Sequence, residues 1–166
     1  METGLDRLIG RIEKAVVWLT GAGAAIVLIQ MCWITYGVFT RYALGRPDRM
    51  VTEATALLLF PVAFAGLAYA LREDSYPKVT MLTDHLAPRL RKVAEVFNYL
   101  IMLGVGGFFS LAGISATVRS FNSGASSEIL LWPRWIFWAP GAFALCLFTF
   151  YAALRLVRIL KTPAEG

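Results

Sequence analysis

The sequence predicts an all-α integral membrane protein with four transmembrane helices. Three observations carry that prediction: four long apolar runs without a charge, basic residues concentrated on one side of them, and aromatic residues gathered at both of their ends. Composition agrees. Of the 166 residues, 58% are hydrophobic and 16% charged, whereas a soluble domain carries about 25% charged residues to cover its surface.

The runs occupy residues 15–39, 54–71, 97–118 and 135–154. Each has the roughly 17–25 residues that cross a hydrocarbon core about 30 Å thick. Strands are excluded, because a lone strand leaves its backbone groups unpaired in lipid. The first run exceeds the about 7–15 apolar residues of a secretory signal and reaches Arg41 without a small-residue cleavage site, so it reads as a retained span. Eleven basic residues fall in the N-terminal segment, the central loop and the tail, against five (Arg41, Arg46, Arg49, Arg119 and Arg134) on the other side. The positive-inside rule therefore places both termini and the central loop in the cytoplasm. Trp33, Tyr36, Tyr42, Trp132, Trp135 and Trp138 gather at one set of span ends, and Trp18, Tyr69, Tyr76, Tyr99 and Tyr151 at the other. Amphipathic rings favour that depth.

Two segments outside the spans are amphipathic. Over residues 3–14, Leu5, Leu8, Ile9 and Ile12, continued by Val16, follow helical spacing between Arg7, Arg11 and Lys14, with Thr3 and Asp6 placed as a capping pair. This segment reads either as an interfacial helix or as an extension of the first span. Over residues 78–93, Val79, Leu82, Leu86, Leu90 and Val93 repeat at three and four. Pro88 fits poorly inside a helix, so two short interfacial helices hinged there are expected. All of this makes one membrane domain over residues 1–166.

Several function classes are disfavoured. The net charge of +5 sits in clusters flanking apolar runs, which suits phospholipid headgroups and not nucleic acid. His85 is the only histidine and Cys32 and Cys146 are far apart, so neither a metal site nor a bis-histidine haem anchor is expected. No nucleophile–base pair or glycine-rich phosphate loop is present, and no catalytic residue or cofactor is assigned. Charged groups at mid-membrane are costly and mark transport paths when they occur. Here the span centres offer Gln30, Cys32 and hydroxyls alone, and Gln30 reads first as an interhelical hydrogen bond. What the spans do offer is packing surface: Ala63, Gly66 and Ala70 form one small-residue stripe, and Gly106, Ser110, Gly113 and Thr117 another. Pro61 and Pro140-Gly141 are expected to kink their helices.

Four pieces in order resemble the small membrane subunit of tripartite ATP-independent periplasmic (TRAP) transporters, the DctQ-like family. They are Val38-Phe39-Thr40-Arg41-Tyr42 with Pro47 and Glu53; Gly66-Leu67-Ala68-Tyr69-Ala70-Leu71-Arg72; the basic central loop; and Ser127-Glu128-Ile129-Leu130-Leu131-Trp132-Pro133-Arg134-Trp135-Ile136. The chain departs from the family at Met50, where Trp is frequent, and at Tyr76-Pro77, where His is frequent. The resemblance implies a scaffold subunit in a bacterial inner membrane. It would brace a large multi-span permease that carries an elevator-type transport domain and sodium sites, with an organic anion delivered by a periplasmic substrate-binding protein. Arg41, Tyr42, Pro47, Glu53, Arg72, Pro133 and Trp135 are the motif residues; Arg41 and Glu53 read either as a salt bridge that fixes the outer loop against the large subunit or the binding protein, or as two side chains snorkelling to the interface. Two other readings compete: a stand-alone transporter or exporter working as a homo-oligomer, which needs a polar path, and a redox anchor, which needs haem or metal ligands.

Overall fold

A computed structural model describes residues 4–45, 49–73, 75 and 88–161, with the side chains of Leu5, Asp6, Pro88 and Arg89 left aside. Its helices are α1 (Gly4–Ala43), α2 (Arg49–Ala65), α3 (Leu67–Arg72), α4 (Pro88–Asn122) and α5 (Trp135–Lys161). The pair α2–α3 makes one span, so four helical segments are long and apolar enough to cross a membrane. The protein is an all-α, multi-pass membrane protein. Two ends of the bundle are distinguished below: the loop end, carrying the turn after α1 and residues 123–134, and the tail end, where α1 begins and α5 finishes.

At about 1.5 Å per residue, the 40 residues of α1 reach about 60 Å, twice a hydrocarbon core. The N-terminal segment is therefore continuous with the first span. It is amphipathic as expected, but its apolar face does not lie on a leaflet. Ile9, Ile12 and Val16 are buried in one cluster with Ala68, Leu71, Tyr99, Phe148, Tyr151, Ala152 and Leu156, while Arg7, Arg11 and Lys14 point away, exposed. Protein covers that stripe because α3 and α5 also end here and present matching apolar surface. The capping pair Thr3 and Asp6 falls outside the described side chains.

Pro88 opens α4, where its missing N–H costs nothing, and the helix runs unbroken from there to Asn122. Residues 76–87, with Val79, Leu82 and Leu86, lie outside the described residues.

The second span breaks four residues after Pro61, between α2 and α3. Pro61 itself lies inside α2, where its effect falls on the turn before it, and at the break around Gly66 the hydroxyl of Thr20 donates to the Ala65 carbonyl at 3.1 Å. The α1–α2 seam is narrow and uses small residues. A Cβ on Gly23 would stand 2.9 Å from the Ala65 methyl, and one on Gly37 would stand 3.0 Å from Val51. Between them the Gln30 amide donates to the Thr55 carbonyl at 3.4 Å, the interhelical contact read for it.

Helices α4 and α5 form the most extensive pair, and α2 packs on α5 next. α5 passes through Pro140-Gly141 as a single helix, and Gly141 leaves the space into which the Phe60 ring presses. α1 is the least enclosed: 11% of its most apolar stretch is buried, against 33% for α5.

Candidate interface at the loop end

Residues 123–134 fold back on themselves. The Ser127 N–H donates to the Trp132 carbonyl at 2.8 Å and the Arg134 N–H to the Ala125 carbonyl at 3.0 Å, around a bridge between Ser126 and Pro133. The buried Ser127 hydroxyl accepts the Trp132 N–H at 3.1 Å. Closing so short a loop forces Leu131 to a φ of 54°, a region a non-glycine residue seldom enters. Three consecutive N–H groups, of Glu128, Ile129 and Leu130, are left facing the bundle.

Glu53 fills that place. Standing one turn into α2, its carboxylate accepts Glu128 N–H at 2.7 Å and Ile129 N–H at 3.1 Å on Oε1, and Ile129 N–H at 3.0 Å and Leu130 N–H at 2.7 Å on Oε2. Successive backbone N–H groups form an anion-binding concavity, and an ionised carboxylate makes its strongest hydrogen bonds to such donors. Both oxygens are occupied, so the side chain latches the α4–α5 loop to the second span.

This corrects the pairing considered for Glu53. Among the described residues Arg41 makes no ion pair with it; the Arg41 guanidinium lies 5.8 Å from the Tyr42 ring centroid. Two opposite charges in one motif suggested a salt bridge, but the backbone donors of a loop some 75 residues away satisfy Glu53 instead. Tyr42 is exposed and Pro47 lies outside the described residues. Pro133 accepts the Ile136 N–H at 3.2 Å, Trp135 meets Phe121 edge to face at 5.8 Å, and Trp132 stacks on Phe137 at 6.2 Å. The structure thus ties Glu53 to the loop that runs into Pro133 and Trp135, and leaves Arg41 outside that contact.

Arg72 belongs to the tail end. Its carbonyl accepts the Arg155 guanidinium at 3.3 Å, and its own guanidinium pairs with Glu73 at 3.3 Å. Arg155 also donates to the Tyr151 hydroxyl at 3.1 Å, and that hydroxyl donates to the Glu13 carboxylate at 3.0 Å. This Glu13–Tyr151–Arg155 chain ties α1 to α5 and was not foreseen. The one hint in the sequence is Glu13, a lone acid beside the apolar stripe of α1.

The two small-residue stripes part company. Gly106, Ser110 and Gly113 face α5: a Cβ on Gly106 would come within 2.7 Å of the Thr149 hydroxyl, and one on Gly113 within 3.2 Å of Ala142. The hydroxyls of Ser110 and Thr149 are 3.0 Å apart, and Thr149 gives its proton to the Leu145 carbonyl at 2.9 Å, so Ser110 is the donor across the seam. Thr117 continues that face, half-buried, donating to the Gly113 carbonyl at 2.8 Å. Ala63 instead is exposed, a Cβ on Gly66 would meet open space, and Ala70 is half-buried.

Fold and site together define a multi-pass membrane protein whose loop end is held by a carboxylate–backbone latch and whose second span keeps an uncovered small-residue face. Residues 30–162 match the family DctQ, tripartite ATP-independent periplasmic transporters, DctQ component, and the chain belongs to that family. It is thereby placed among transporter components. No curated protein and no solved structure matches the chain.

Proposed function

We propose that this protein is the non-catalytic small subunit of a sodium-coupled TRAP transporter that imports an organic anion, a carboxylate or similar acid. In this reading it sits in the bacterial inner membrane with both termini in the cytoplasm. It braces the large elevator-type permease, while a periplasmic binding protein delivers the solute. Family membership supports the transporter setting, and the basic-residue asymmetry supports the orientation.

The observation that carries the bracing role is the uncovered side of the first two spans. Small residues let helix backbones approach closely in lipid. The α4 stripe already uses that property on α5, whereas Ala63 is exposed and a Cβ on Gly66 would meet nothing within 4 Å among the described residues. Beside them the half of α1 nearer the loop end is exposed nearly all round, with Leu28, Ile29, Trp33 and Tyr36 on its surface. An elevator needs a fixed frame in the bilayer, and a rigid bundle with an open small-residue face suits one.

Affinity purification of the tagged chain from its source membranes tests this. The large permease of the same transporter is expected as a stoichiometric partner. Recovery of the chain alone under conditions that keep it folded contradicts the reading.

A further inference from the structure

Where the last turns of α4 meet the start of α5, the loop end holds a second polar feature, apart from the Glu53 latch. An open cleft of about 430 Å³ is lined by Arg119, Arg134, Ser115, Ser120, Ser123 and Trp138, with alanine methyls between them. No carboxylate is among these lining residues.

Ser120 is the unusual group. Its residue is 8% exposed, and its hydroxyl oxygen is buried without a hydrogen-bond partner among the described residues. A helical hydroxyl ordinarily returns to the carbonyl one turn back, as Thr117 does to Gly113 and Thr149 to Leu145. Ser120 does not, and a buried polar group left unmade carries a penalty. Ser123 offers no relief, since its hydroxyl donates to the Ser120 carbonyl at 3.3 Å.

The two arginines are also uncommitted. The ion pairs among the described residues are Arg72–Glu73 and Arg91–Glu95, and neither Arg119 nor Arg134 takes part. Glu53, the acid that attracts Arg134 at longer range, already has both oxygens filled by loop N–H groups. Two planar guanidinium forks line one recess, with the buried Ser120 hydroxyl in its wall, and among the described residues none of the three has an acidic partner.

We propose that this cleft seats the phosphate of a phospholipid from the leaflet at the loop end. Guanidinium groups bind phosphate oxygens through paired, charge-assisted hydrogen bonds. Arg119 and Arg134 hold the non-bridging oxygens, and Ser120 turns its hydroxyl proton to the same group. Depth selects a lipid over free phosphate. Arg119 stands in the last turn of α4, at the end of an apolar span where headgroups lie. Below it, exposed Ile114 and Val118 offer an apolar flank to the acyl chain, and the Trp138 ring borders the glycerol level. The site stands on this geometry and is independent of the transporter reading.

The test uses the delipidated full-length chain in neutral detergent, titrated with phosphatidylglycerol and followed by native mass spectrometry. Wild-type protein is expected to retain one lipid that dioleoylglycerol, which lacks the phosphate, does not replace. Losing the charge-assisted bonds in the Arg119→Gln/Arg134→Gln double variant is expected to weaken binding about tenfold or more. Ser120→Ala is expected to weaken it less, and the Arg119→Lys/Arg134→Lys variant to keep most of it. Unchanged affinity in the glutamine variant at wild-type helix content overturns the proposal, as does equal binding of dioleoylglycerol. Should the glutamine variant not fold, unchanged affinity in Ser120→Ala overturns it instead. Displacement of the lipid by an equal concentration of inorganic phosphate overturns the lipid as the source.

Discussion

At the scale of single residues, Glu53 carries the most physical content. Its carboxylate accepts three backbone N–H groups that a tight loop turns toward the bundle. Glutamine keeps the shape but turns one oxygen into a donor facing other donors. Glu53→Gln is therefore expected to free residues 128–130, and hydrogen exchange of that segment should accelerate about tenfold or more, with helix content unchanged. Because no Arg41–Glu53 pair forms, the double swap Arg41→Glu with Glu53→Arg is expected to recover nothing of what the Glu53 change loses. Exchange of the loop at the wild-type rate in Glu53→Gln would show that the latch is not what holds it. Glu53 was legible in the sequence as a motif residue at a span end, but its partner was not. The donors are peptide groups, and a peptide N–H leaves no mark in the identity of residues 128–130. The Tyr151–Glu13 bond escaped for a related reason: its two residues are 138 positions apart, and only folding brings them together.

At the scale of elements, the chain is largely readable because lipid allows so few solutions. Four charge-free runs became four helical spans, and the small-residue stripe on the third lies where α4 approaches α5. Which neighbour it would meet could not be read, since glycine and serine at helical spacing fit any close helix. The narrow α1–α2 seam was readable in retrospect, for Gly23, Gln30 and Gly37 recur every seven residues. The N-terminal amphipathic stripe was the harder case, because leaflet and protein make the same demand for an apolar face. The two small-residue faces separate by substitution. Gly113→Leu drives a side chain into Ala142 and Leu145, and overpacking of this kind costs about 1–3 kcal/mol, read as a lowered unfolding midpoint of the purified chain. Gly66→Leu enters open space and is expected to leave that midpoint within about 0.5 kcal/mol of wild type, while reducing co-purification with the large permease. Full retention of the permease by Gly66→Leu would move the docking face elsewhere on the bundle.

At the scale of the whole molecule, the proposed orientation and role each have a direct test. Eleven basic residues against five predict cytoplasmic termini. A reporter fused at Gly166 is expected to read cytoplasmic and one near Gly124 periplasmic; the reverse pattern would invert the topology and place the latch and the lipid cleft on the cytoplasmic side. The central claim is that this chain supports transport without performing it. Proteoliposomes test it most directly, holding this chain alone, the large permease alone, or both, under an inward sodium gradient with the binding protein loaded with its radiolabelled acid. Uptake is expected from the pair, and no more than the empty-vesicle background from either alone. Accumulation of the acid in vesicles that contain only this chain would contradict the account.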